Sequence, residues 1–288
     1  MRARRSTFLL SALCFGIAFL YVPMALMIAY SFNYSKLVPV WGGFSVRWYK
    51  TLFASEEVWS ALALSLKVAV INATFATLLG TLAGLAMARF GRFRGRTLFT
   101  GMVSAPLVMP EVITGLSLLL LFITLNEVVG WPSSRGITTI TIAHITFSLA
   151  YVAVIIQSRL AGMGQDLEEA AQDLGGKPLR VMIDVTLPLL APGMLAGWLL
   201  AFTLSLDDLV IASFVSGPGS NTLPMLIYSR IRVGLRPDIN ALATLIIFTV
   251  AIGVAIAGYL LLRQRRQHER DLRLAAAAAR GSDGALAR

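Results

Sequence analysis

The chain has 288 residues, 57% of them hydrophobic and 14% charged, with a mean hydropathy of +0.74. This excludes a water-soluble domain and fits an integral membrane protein. The net charge of +10 follows the membrane rather than clustering as a nucleic-acid face, and the single cysteine, Cys14, excludes a disulfide framework or a cysteine-built metal site.

Arg2, Arg4 and Arg5 precede an apolar run from Phe8 to Tyr30. A signal peptide shares the charged start but has a shorter core ending in small residues. A run this long reaches the ~20 residues needed to span a bilayer, so a retained first helix is expected. The stretch from Tyr34 to Glu57, followed closely by Trp59, is polar and rich in aromatics, including Trp41, Trp48 and Tyr49. It reads as an extracytoplasmic interfacial segment. A second span, Val58 to Ala88, carries Gly80 and Gly84 on a small-xxx-small face and ends at Arg89, Arg92, Arg94 and Arg96. Asn72 and Thr74 within it read as helix-to-helix hydrogen-bonding groups.

The third span, Thr97 to Thr124, contains Pro106, Pro110 and Glu111 and is expected to be kinked or locally unwound. A turn over Asn126 to Gly136 leads to a fourth span, Ile137 to Ile156. A fifth, Leu189 to Val210, and a sixth, Ile239 to Leu262, complete an all-α fold of six transmembrane helices. Residues 1–7 form a leader, 8–262 the membrane domain and 263–288 a basic tail, expected to be frayed or disordered and to touch anionic lipid. Six spans put both termini on one side. That side carries 17 Lys and Arg against seven on the other, with Lys67 inside a span, so both termini are expected in the cytoplasm.

The longest polar interruption, Gly164 to Pro188, lies on the same side and holds five acids and two bases. Asp166 followed by Glu169 reads as a capping-box start, and Leu167, Ala170, Ala171 and Leu174 recur at helical spacing. Gly175 and Gly176 end that helix, and Pro178 opens a second one reaching Val185. A loop of this kind is suited to meeting another protein.

Acids inside a membrane are costly, about 2.5 to 3.5 kcal/mol each at the centre, so they face a partner or a wet cavity. At ~1.5 Å per residue, Glu111 is expected near mid-membrane and Asp207 and Asp208 in the outer third of the fifth span. Together they would draw a small cation into a cavity. The alternative is neutralisation across helices by Lys67, Arg230 or Arg232. His144 reads as a packed, hydrogen-bonded core residue with no second metal ligand in reach. Gly176-Lys177 lacks the earlier glycine and the following Ser or Thr of a phosphate-binding loop, so no catalytic residue is assigned.

Glu169-Ala170-Ala171, three residues, Gly175, nine residues, Val185, one residue and Leu187-Pro188 resembles the EAA loop of ABC importer permeases, with Val185 where isoleucine is more usual. The runs Ala105 to Phe122, Ala201 to Gly219, Thr222 to Met225 and Ile239 to Ile246 are similar to polyamine importer permeases, above all those of the putrescine type. Glu111 stands where the family's close members carry Asp. The resemblance implies a type I ABC importer permease (MetI-like) fold in the bacterial inner membrane, serving putrescine, with spermidine or another small cation as the alternative. A six-span channel is the reading from another class. The resemblance further implies a homologous second permease forming a heterodimer, an ABC ATPase dimer that uses ATP and Mg, and a periplasmic polyamine-binding protein. Glu169, Ala170, Ala171, Gly175, Leu187 and Pro188 would seat on the ATPase, and this chain would hold no cofactor and bind no nucleic acid.

Overall fold

The structure, a computed structural model, describes residues 7–36, 40–234 and 237–286. Six of its helices are long and apolar enough to cross a membrane: Phe8–Ser31, Glu56–Arg89, Glu111–Val129, Ile137–Gly162, Pro178–Asp207 and Pro237–Ile256. Hydrocarbon offers no partner for backbone amides and carbonyls, so helices that satisfy them internally are the expected solution. The chain divides into two compact units.

The first unit joins residues 1–54 to 234–288 and contains α1 (Thr7–Ser31), α2 (Arg47–Phe53) and α12 (Pro237–Leu286). The segment between α1 and α2 is organised by one buried side chain, Asn33. Its Nδ2 donates to the Val40 carbonyl at 2.7 Å, and its Oδ1 accepts from the amides of Ser35 at 3.2 Å and Gly42 at 2.7 Å. Trp48 Nε1 donates to the Asn33 carbonyl at 2.7 Å, which ties α2 to the residues that follow α1. The leader arginines Arg2, Arg4 and Arg5 lie outside the described residues, as do the side chains of the tail from residue 268 on. The backbone of α12 is helical to Leu286, past the Leu262 boundary expected for the span.

The second unit, residues 55–233, contains α3 (Glu56–Arg89), α4 (Arg96–Val108), α5 (Glu111–Val129), α6 (Ile137–Gly162), α7 (Asp166–Asp173), α8 (Pro178–Val181), α9 (Leu187–Asp207), α10 (Val210–Val215) and α11 (Leu223–Val233). Its core is the junction of α3, α6 and α9, where Ala73, Ala76, Val152, Ile156, Leu160, Leu190 and Ala201 are buried. The expected glycine seam is present. A Cβ on Gly80 would lie 2.7 Å from Val152 Cβ, and one on Gly84 would lie 2.8 Å from Ile156 Cγ2. Buried Asn72 ties the three helices, donating to the Ala201 carbonyl at 2.8 Å and to Ser148 Oγ at 3.2 Å.

The third span unwinds at Pro110, as expected, but fully enough to make two helices, and the fifth span has other bounds than expected. The third apolar run is two helices, α4 and α5, parted at Met109 and Pro110, both with extended ψ, so Glu111 opens α5 instead of sitting midway along one helix. Pro110 has no amide to continue α4 and disfavours helical backbone at Met109. The fifth span starts earlier and stops sooner than expected. After α8, a π-helical turn over Met182–Thr186 leads without a break into α9, and the helix ends where Asp208 turns extended, before the expected Val210. The proline at position 188 directly follows the wide π-helical turn, inside a helix that runs on from α8, and that turn makes room for a residue with no amide, so the run is not interrupted.

Gly84→Leu is expected to lower the thermal stability of the detergent-solubilised protein by about 1 to 3 kcal/mol or more through overpacking. Gly16→Leu, whose added carbon meets nothing within 4 Å, leaves the melting midpoint unchanged in the same assay.

Candidate functional site

Acidic residues crowd the first turn of α7, where Asp166, Glu168 and Glu169 complement the open amides of a helix start. The expected capping box is not formed. Gln165 holds the cap position without a side-chain bond, and Asp166 is already helical. The helix ends as its glycines require: Gly175 has φ +87°, its amide donates to the Gln172 carbonyl at 2.8 Å, and the Gly176 amide donates to the Ala171 carbonyl at 3.0 Å. A Cβ on Gly176 would lie 2.6 Å from the Ala171 carbonyl oxygen and 2.8 Å from Val181 Cγ2, so both glycines are needed for different reasons.

No side chain of α7 is buried. The apolar positions of the loop are left open, with Leu174 91% exposed, Leu179 65%, Leu167 60% and Ile183 52%. Glu169 and Ala170 are exposed, Ala171 and Leu187 half-buried, and Gly175 and Pro188 exposed. Glu169 forms no hydrogen bond or ion pair among the described residues. An open apolar strip edged by a free carboxylate is a surface prepared for a protein with an apolar groove and a nearby cation or donor.

The neighbouring carboxylate behaves differently, and sequence reasoning did not single it out. Glu168 lies 3.1 Å from Arg89 Nε, and Thr186 Oγ1 donates to it at 3.1 Å. Arg89 also donates from Nη2 to the Met163 carbonyl at 3.3 Å. Only the helical phase of Glu168 against Glu169 could have hinted at this, since one of two adjacent acids must turn toward the bundle.

The three membrane acids separate in the same way. Glu111 is exposed at the start of α5 and has no hydrogen-bond or ion-pair partner among the described residues. Asp207 is exposed at the end of α9. Asp208 is engaged: its carboxylate accepts from the Ala212 amide at 2.7 Å and the Ile211 amide at 3.3 Å, and lies 3.1 Å from His144 Nε2. It therefore caps α10 and braces α6. His144 is 2% exposed, with Nδ1 2.7 Å from Ser205 Oγ, as a packed core histidine should be. A carboxylate only accepts, so Nε2 donates to Asp208, while in the Nδ1–Ser205 pair either atom can be the donor. Lys67, Arg230 and Arg232 are the cations weighed as alternative neutralisers of these acids. Arg230 pairs with Glu57 at 2.6 Å, Arg232 lies over the Tyr228 ring, and Lys67 is exposed without a partner among the described residues.

The first turns of α5 pack on α10, the short helix that follows Asp207 and Asp208. Gly115, one turn beyond Glu111, lies so close to α10 that a Cβ there would be 2.8 Å from the Phe214 ring and 3.3 Å from Ile211 Cα. Asp207 and Asp208 immediately precede α10.

Comparison with known proteins places this geometry. Residues 80–268 match the family described as binding-protein-dependent transport system inner membrane component. The putrescine transport system permease protein PotI of Escherichia coli K12 is 55% identical over 94% of this chain and 96% of its own length. The spermidine/putrescine transport system permease protein PotC of the same organism is 40% identical over 86% of this chain and 91% of its own. Among solved structures, a bacterial alginate ABC transporter in complex with a pentasaccharide-bound periplasmic protein matches with a TM-score of 0.67 at 17% identity, over 87% of this chain and 90% of that one. At that identity it speaks for the fold alone, which is that of type I ABC importer permeases. The chain belongs to the binding-protein-dependent transport system inner membrane components, the multi-pass permease subunits of bacterial ABC importers.

Proposed function

We propose that this chain is one half of a putrescine-translocating pathway, paired in a heterodimer with a homologous permease and driven by an ABC ATPase dimer that hydrolyses ATP with Mg. The observation that carries the cargo assignment is the 55% identity over 94% of the chain to a permease named for putrescine alone. The 40% relative is named for spermidine as well, which keeps spermidine as the second reading. A periplasmic polyamine-binding protein would deliver substrate at the outer face. The permease itself performs no chemistry.

In this reading both termini and the 164–188 loop face the cytoplasm, as the bias of basic residues supports. The ATPase receives Leu174 and the apolar strip in a groove, with Glu169 meeting a basic or polar group beside it. ATPase closure brings the two coupling helices together and rocks the spans between inward-facing and outward-facing states. A diamine carries two positive charges at neutral pH, and the exposed carboxylates of Glu111 and Asp207 suit it. Neither is locked by a counter-ion among the described residues, so each can bind a passing ammonium and release it. Asp208 is spent on structure.

Glu169→Lys is expected to abolish ATPase stimulation by substrate-loaded binding protein while the heterodimer still assembles. Leu174→Asp should weaken ATPase retention on the purified permease about ten- to a hundredfold, the loss of one buried leucine. Unchanged stimulation and retention would remove the loop from the coupling role.

Glu111→Gln and Asp207→Asn should each cut uptake at limiting putrescine about fivefold, as loss of one partly screened ion pair would, without changing thermal stability. Asp208→Ala should do the reverse, lowering stability by about 1 to 3 kcal/mol through loss of the cap and the histidine brace. Thermal shift and uptake on the same preparations separate the two classes.

The cargo is tested by competitive uptake of putrescine and spermidine in cells lacking their own polyamine importers and supplied with the complete transporter. Putrescine uptake barely inhibited by excess spermidine is expected. Preference for spermidine would change the substrate and keep the machine.

A further inference from the structure

We infer that Arg89, Glu168 and Thr186 form a latch through which movement of the coupling helix reaches the membrane helices; the inference rests on reading 164–188 as the ATPase-coupling loop. A helix pushed by a partner transmits the push only through what ties it to its own chain. For α7 that inventory is short. It buries no side chain, and among the described residues Glu168 is its only side chain with a hydrogen bond or ion pair.

That one carboxylate reaches two helices. Through Arg89 Nε, at 3.1 Å, it is tied to the last residue of α3. Through Thr186 Oγ1, at 3.1 Å, it is tied to the π-helical turn at the base of α9. Arg89 adds the Met163 carbonyl at the end of α6, so three membrane helices and the coupling helix converge on two charged groups. The pair is sheltered, at 15% and 16% side-chain exposure, where the attraction is less screened than at an open surface.

Thr186 marks the arrangement as built for contact between elements. Buried threonines and serines on a membrane helix commonly turn their hydroxyl back to the carbonyl one turn earlier. Thr114, Thr141 and Thr244 do so in this protein. Thr186 is 4% exposed and instead gives its hydroxyl to Glu168 across the loop. It lies in the one wide turn of its helix, where the Leu187 amide reaches five residues back to the Met182 carbonyl. Such turns are frequent at functional sites, and this one stands between α7 and the span that ends at Asp207.

These are positioning residues, so their test must read coupling and not folding alone. The assembled transporter, with its ATPase and binding protein, is placed in proteoliposomes, and ATPase retention, ATP hydrolysis and putrescine transport are measured together. Glu168→Gln and Arg89→Gln should retain the ATPase and hydrolyse ATP, yet move about fivefold less putrescine per ATP. Thr186→Val should show a smaller loss of the same kind. Arg89→Glu combined with Glu168→Arg should recover most of the ratio. An unchanged ratio in the single variants overturns the latch, as does lost ATPase retention that the exchanged pair does not restore. If the wild-type protein neither retains an ATPase nor responds to binding protein, the coupling-loop reading itself fails. If the wild type couples and the variants match it, the latch alone fails.

Discussion

The close approach of α3 to α6 at Gly80 and Gly84 is the constraint from which the larger unit follows. In lipid, apolar side chains gain little by leaving their surroundings, and helices associate through packing and interhelical hydrogen bonds. Glycines facing Val152 and Ile156 bring the two backbones close enough for Asn72 to reach both Ser148 and the Ala201 carbonyl. That junction fixes the axis of α9 against α3 and α6. The two ends of α9 then inherit fixed positions, one at the Thr186 turn and the other at Asp207.

The two ends share one logic. At each there is a pair of adjacent acids, Glu168 with Glu169 and Asp207 with Asp208, and in each pair one carboxylate is bonded inside the chain while its neighbour is exposed. Adjacent residues on or near a helix point about 100° apart, so a single acid cannot both brace the fold and face outward. The doubled acids resolve that conflict. They also explain why a motif centred on Glu169 says nothing of the residue just before it, whose partners come from the far ends of α3 and α9.

Much of this was legible in the sequence, because the membrane narrows the possibilities. Six apolar runs gave six spans, the glycines at 80 and 84 gave a contact face, and Gly175 gave a left-handed helix end that the backbone adopts at φ +87°. What was not legible depended on groups far apart in the chain. The partner of Asp208 is His144, 64 residues earlier, and that of Glu168 is Arg89, 79 residues earlier. The capping box at Asp166 failed because the helix began one residue sooner than the pattern required, and a one-residue shift turns a cap into a helical position. Continuity through Pro188 was missed because a proline beside an apolar run reads as its entry, and the wide turn over Met182–Thr186 that lets the helix pass it leaves no mark in the sequence.

The break at Met109 and Pro110 also changes what Glu111 does electrically. A new helix start leaves its first amides without backbone acceptors, and here those of Glu111 and Val112 have none among the described residues, giving the beginning of α5 a partial positive charge. Left bare, that end would repel an approaching ammonium group. The carboxylate of Glu111 sits on the same turn and reverses the sign of the local field. A neutral side chain there would therefore not leave an indifferent surface, because the helix end would again oppose cations.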